Sequence, residues 1–217
     1  ETRDRHTAGH QRRVTGLAHA IARELGLPRE QGRAVRIAGL LHDLGKINIP
    51  TEILSKPGRL TEMEFAIIRT HPKAGYEILK SIEFPWPIAD IILQHHERMD
   101  GSGYPSGLKG DQSTLEARIL AVADVVEAMA SHRPYRPAMG LDQAIKEISD
   151  NRGRLYDADV VDACLAVFNR GSFRFADQGV ETRAGPAARS LNCTARIPHH
   201  RHATSRTRRQ RHRTQHH

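Results

Sequence analysis

Eight histidines precede the C-terminal end: His6, His10, His19, His42, His71, His95, His96 and His132. Two carboxylates, Asp43 and Asp124, sit in otherwise apolar stretches. The strongest single element is Leu40-Leu41-His42-Asp43-Leu44-Gly45-Lys46, an apolar run that ends in an imidazole, a carboxylate, a glycine and an ammonium. Burying His and Asp together is costly unless something pairs them. A metal ion would do so, because imidazole suits first-row transition metals and a carboxylate can bridge two cations. Taken alone, this dipeptide reads as a core histidine beside a capping aspartate. It is joined by His10, His71, the pair His95-His96 and Asp124, each on a different predicted helix. Six or so N and O donors from separate helices of a bundle suit two metals better than one. Two cations ~3.5–4 Å apart are an apparatus for splitting phosphodiesters.

The elements that must position these residues read as helices throughout. Residues 15–25 carry Leu17, Ala18, Ile21, Ala22 and Leu25 at helical spacing, and Gly26 and Pro28 stop the run. Residues 30–44 are apolar on most sides, which predicts a helix deep in the core. Thr61 and Glu64 form a capping-box pattern ahead of residues 61–69. His71-Pro72 places proline in a first helical turn, with the helix running on to residue 82. Further helices are expected over 87–96, 114–131, 141–148 and 159–168, with no strand pattern and no repeat. The fold class is therefore all-α, with a helical domain over residues 1–169.

Charge divides the chain. Arg170 to His217 holds 11 Arg and no Lys against one Asp and one Glu, and leaves the remainder near neutral although the chain totals +8. The last nineteen residues are almost wholly Arg, His, Thr and Gln, too polar to offset their ordering entropy by burial. Residues 170–217 are expected to be a disordered basic tail, native or the product of a slipped GC-rich reading frame, rather than an arm for nucleic acid or anionic lipid. Nucleic-acid binding is not expected outside that tail. No apolar run approaches the ~20 residues of a membrane span. Cys164 and Cys193 lack metal or redox spacing, which suits a reducing cytoplasm.

The series resembles the HD-GYP branch of the HD phosphohydrolases. The residues that carry it are His10-Gln-Arg-Arg-Val14, Leu41-His42-Asp43-Leu-Gly-Lys46, Lys56-Pro57-Gly58-Arg59-Leu60-Thr61 and Thr70-His71-Pro72 to Gly75. They continue with His95-His96-Glu97-Arg98-Met99-Asp100-Gly101-Ser102-Gly103-Tyr104-Pro105, Ala117-Arg118-Ile119 to Asp124, and Ser131-His132-Arg133-Pro134-Tyr135-Arg136. The resemblance implies an HD-domain helical bundle over residues 1–169 that hydrolyses cyclic di-GMP to pGpG and/or GMP through a metal-bridging hydroxide. It implies one metal on His10, His42, Asp43 and Asp124, and a second on Asp43 with His71, His95 and His96. Iron or manganese suits such a set. Lys46 is expected to steady phosphate or assist the departing ribose oxygen. Arg133 and Arg136 are expected to contact guanine or phosphate, although a solvated turn is a serious rival for Arg136. Gly103, Tyr104 and Pro105 are expected to shape the site or present a surface to partners such as GGDEF cyclases, and Glu97 to orient a ligand histidine. His6 stands where some members carry a third-metal glutamate, so two metals are counted.

By the same resemblance, the chain is expected to be part of a longer protein with an upstream sensory or receiver domain, and to be capable of homodimerising. Three rivals stay open. One is a hydrolase of another cyclic dinucleotide or a nucleotide. Another is a catalytically silent module that binds the messenger or a partner. The last is a nucleic-acid binder acting through residues 170–217.

Overall fold

The computed structural model of this protein describes residues 9–131 and 139–175. Among these are nine α-helices: α1 (His10–Glu24), α2 (Arg29–Leu41), α3 (Thr51–Leu54), α4 (Glu62–Ile68), α5 (His71–Leu79), α6 (Ile88–Gln94), α7 (Leu115–Ala130), α8 (Leu141–Asp150) and α9 (Ala158–Asn169). Short 3-10 turns lie at Leu44–Asn48 and Gly110–Gln112. No strand forms among the described residues; the two isolated bridges are Asp100 to Lys109 and Arg152 to Tyr156. The fold is all-α, as the sequence predicts.

The core is built around α7. Its Leu-Glu-Ala-Arg-Ile-Leu-Ala-Val run starts behind Thr114, whose hydroxyl accepts from the Ala117 N–H. Ala117, Ile119, Leu120, Val122, Ala123 and Val126 are completely buried. α7 packs against α1, α2, α6, α8 and α9. Val14, Leu17, Ala18 and Ile21 of α1 and Ala34, Val35 and Ala38 of α2 close over it. Each fully buried aliphatic side chain of this size contributes ~1.5–3 kcal/mol of transfer free energy.

Several boundaries differ from expectation. The helix expected over 30–44 ends at Leu41, with His42 as its C-cap, and gives way to the 3-10 turn. The close approach of Gly45 to α5 accounts for this: a Cβ there would lie 2.0 Å from the His71 carbonyl oxygen and 2.5 Å from the Gly75 nitrogen. Nor is α2 deep on all sides, since Leu40 is half exposed and Arg29, Arg33 and Arg36 face solvent. α1 starts at His10 behind Gly9, whose φ is 87°. The Thr61–Glu64 capping box forms as expected, whereas the short α3 carried no expectation.

The chain separates into a unit Glu1–Gly179 and a unit Val180–His217, the latter outside the described residues. The packed chain runs beyond Asn169. Phe173 and Phe175 stack edge-on with ring centres 5.2 Å apart, and Arg170 pairs with Glu24 at 2.9 Å. The expectations for residues 176–217, His6, His132, Arg133 and Arg136 lie outside the described residues. No helix among the described residues is long and apolar enough to cross a membrane.

Candidate metal centre

Five elements deliver one cluster. His10 is the first residue of α1, His42 caps α2, His71 opens α5, His95 caps α6 with His96 next to it, and Asp124 lies on α7. Local geometry sets the imidazoles. His42 Nδ1 lies 2.8 Å from the Gly39 carbonyl, His71 Nδ1 2.8 Å from that of Ile68, and His95 Nδ1 2.6 Å from that of Ile92. A ring nitrogen facing a carbonyl oxygen must donate, so each neutral ring keeps its lone pair on Nε2 and turns it inward.

Two donor groups result, each compact enough to hold a metal ion: His10 with His42 and Asp124, and His71 with His95 and His96. Asp43 lies between them. Its Oδ2 is 3.6 Å from His42 Nε2 and 3.8 Å from His10 Nε2, while its Oδ1 is 3.6 Å from His71 Nε2. His10 Nε2 is 3.3 Å from Asp124 Oδ1. Ligands on ~2.1 Å bonds to one ion sit roughly 3.0–3.5 Å apart, so these separations are close to those of a coordination shell.

The electrostatics fit cations. His10 Nε2 and His42 Nε2 are buried without a hydrogen-bond partner. Burial is the main cause that pushes His71 down to about 4 and His95 to about 3, so both are neutral near pH 7. Their Nε2 atoms nevertheless face each other at 3.3 Å, two lone pairs in conflict unless a cation lies between them and Asp43. Burial opposes charge on Asp43, but Lys46, His42, His71 and His10 hold it well below the usual carboxylate range. Asp124 is held down likewise against burial, chiefly by His10.

His10 differs from the other rings. Its Nδ1 donates to Glu127, a carboxylate 1% exposed on α7. Glu127 also accepts from Arg13 Nε and Ser131 Oγ, both at 2.7 Å. These partners hold its pKa down to about 2 although burial acts against it. Burial likewise disfavours charge on His10, yet the carboxylates of Asp124 and Glu127 that face its two nitrogens raise it to about 9. A cation at Nε2 would take that proton's place. Sequence reading missed Glu127. The signal was its place three residues after Asp124, one turn along the same helix face.

Lys46 Nζ donates to Asp43 Oδ2 at 2.8 Å from within the 3-10 turn. The Gly-Tyr-Pro loop lies over the second donor group. Tyr104 stacks on His96 with ring centres 4.8 Å apart, and the Arg69 guanidinium lies 4.6 Å from the Tyr104 ring centre. Gly103 is required by contact, since a Cβ would lie 2.4 Å from the Arg98 nitrogen. Glu97 does not orient a histidine as expected. Its carboxylate accepts from the Ser106 and Leu108 N–H groups at 2.7 and 3.0 Å and so ties down the far side of this loop.

Comparison with known proteins agrees with this geometry. A family model described as HD domain matches residues 1–160. The cyclic di-GMP phosphodiesterase response regulator RpfG of Xanthomonas campestris pv. campestris is 47% identical over 167 residues, covering 76% of this chain and 44% of that protein. A cyclic di-GMP phosphodiesterase of Thermotoga maritima is 44% identical, covering 76% and 45%. The chain thus spans less than half the length of these curated relatives. The HD domain of L. monocytogenes phosphodiesterase PgpH, solved with cyclic di-AMP, superposes with a TM-score of 0.57 at 26% identity, covering 79% of this chain and 94% of that one. Helical core, converging imidazoles, an aspartate set between two donor groups and the matched family model together show that the chain belongs to the HD domain family, in its HD-GYP branch.

Proposed function

We propose that this chain is the phosphodiesterase domain of a bacterial signalling protein, and that it hydrolyses cyclic di-GMP to pGpG and/or GMP. The observation that carries the reading is Asp43, whose two oxygens face two separate sets of inward-turned Nε2 donors. His10, His42 and Asp124 would hold one divalent ion, His71, His95 and His96 a second, and Asp43 both. The mixed imidazole and carboxylate set suits iron or manganese. When bound, such ions supply Lewis acidity, which activates water near neutral pH and offsets charge on the phosphate oxygens.

The protein's own residues do the rest. Asp43 stays ionised in its buried position. Lys46 spends one N–H on Asp43 and keeps two for a phosphate oxygen or for the ribose oxygen that leaves as the P–O bond breaks. Arg69, Tyr104 and His96 form a stacked wall beside the second donor group, against which a flat base can lie. Arg133 and Arg136 remain proposed contacts to guanine or phosphate. GGDEF proteins, an upstream receiver or sensory domain, a homodimer and a cytoplasmic setting belong to the same proposal. The division into a catalytic region over residues 1–169 and a basic tail belongs to it as well.

The cyclic di-AMP bound to the PgpH domain favours one second reading, hydrolysis of a different cyclic dinucleotide. Both are tested on the full chain, purified without oxygen and loaded with iron or manganese, by following cyclic di-GMP, cyclic di-AMP and 3′3′-cGAMP beside an Asp43→Ala control. Preferred conversion of cyclic di-GMP that vanishes in the control is expected. Preference for another substrate selects the second reading, and binding without turnover of any of them refutes both.

A further inference from the structure

The α1–α2 hairpin has two ends. Its open end carries His10 and His42. Its closed end, whose nearest residues lie ~9–14 Å along the helices at 1.5 Å per residue, encloses a cavity of about 360 Å³ lined by His19, Arg23, Leu27, Arg29, Arg33 and Arg36, among others. We infer that this cavity is a second binding site, for a small phosphate-bearing molecule, separate from the metal centre.

The charge is the first argument. Residues 1–169 are near neutral overall, yet four solvent-exposed arginines line this one concavity. Among the described residues Arg23, Arg29 and Arg36 have no ion-pair or hydrogen-bond partner. Arg33 pairs with Glu30 at 2.7 Å, but both side chains are about 60% exposed, and such a pair contributes little. Like charges gathered around a concavity repel unless an anion joins them.

The second argument is His19. It lines the cavity, with its Nδ1 shielded from water against Gly32 of α2. Burial and the adjacent Arg36 and Arg23 lower its pKa against the pull of the Gly32 main chain, so the neutral ring is favoured beside the four arginines. The third argument is shape. α1, the turn after it and α2 enclose the cavity on several sides, with Ala22, Leu27 and Pro28 as an apolar floor. Its volume lies within the ~300–1,000 Å³ usual for small-molecule sites. Planar guanidinium forks match the oxygens of a phosphoryl group. An acidic protein segment would need a flatter and longer surface.

The test uses the full chain, freed of metal by a chelator that is then removed, so that phosphate cannot be held at the metal centre. Inorganic pyrophosphate, phosphate, GMP and acetate are titrated by calorimetry while the His19 ring resonances are followed by NMR. Pyrophosphate is expected to bind one to one and to shift His19. The Arg29→Ala/Arg36→Ala double variant should weaken binding at least about tenfold, with cyclic dinucleotide turnover of the metal-loaded protein unchanged. Tighter binding of GMP than of phosphate would identify a nucleotide, and the reverse a free phosphate. Undiminished binding in the double variant, an unmoved His19, equal binding of acetate, or no binding at millimolar pyrophosphate would each overturn the inference.

Discussion

Glu127→Gln should weaken the first metal site selectively. Wild-type Glu127 is a buried anion that accepts from His10, Arg13 and Ser131. The amide keeps the shape but has one accepting oxygen, so an NH2 group must face either the Arg13 guanidinium or another donor. Breaking a buried pair of this kind costs about 3 kcal/mol. The metal effect is separable from that cost. Losing a carboxylate behind a ligand histidine lowers metal affinity about 10–100-fold, or about 1.4–2.7 kcal/mol. The loss should fall on His10, His42 and Asp124 and spare the second group, where His71 and His95 donate to main-chain carbonyls. Titration with manganese against a chelating dye, alongside metal content, would show one weakened and one unchanged site. In a His10→Ala background Glu127→Gln should cost no further affinity, because the coupling runs through that ring. The depressed Glu127 pKa makes its contribution complete above about 4.5 and lost as pH falls toward 2, so the variant should also be less acid-sensitive. Two wild-type affinities in Glu127→Gln would refute the reasoning.

Three other perturbations have defined outcomes. Gly45→Ala forces a Cβ against main-chain atoms of α5 that cannot give, and should cost about 3 kcal/mol, a fall in Tm of roughly 6–12 °C by calorimetry. Tyr104→Phe should keep the stack on His96 and turnover within about twofold, whereas Tyr104→Leu should lose about tenfold; equal rates would deny the stack a role. Burial raises the Cys164 thiol from 9.0 to about 12, so its stabilisation is intact below 9 and declines above it, by about 1.4 kcal/mol at pH 10. Denaturant titrations at pH 8 and pH 10 should show a decline larger in the wild type than in Cys164→Ala by that amount.

The sequence by itself determined the class of fold and most of the donor set. Periodic apolar positions such as Leu17, Ile21 and Val122 can be satisfied only on buried helix faces. His42, Asp43 and Asp124 stand out because polar groups inside apolar runs demand a partner. Tertiary structure decided what periodicity cannot encode. Helices α2 and α6 stop just before His42 and His95, which places those rings at helix ends, because Gly45 must meet the backbone of α5 and the ring nitrogens must reach carbonyls one turn back. Asp43 faces two donor groups only because five elements close around it. Glu127 looked like one more helical carboxylate until packing set it against His10, 117 residues away. Glu97 looked like a partner for its neighbouring histidines, yet its oxygens turn to the Ser106 and Leu108 N–H groups, which had no other acceptor in a tight loop. Contacts between residues far apart in the chain depend on how helices stack, and local spacing carries no record of that.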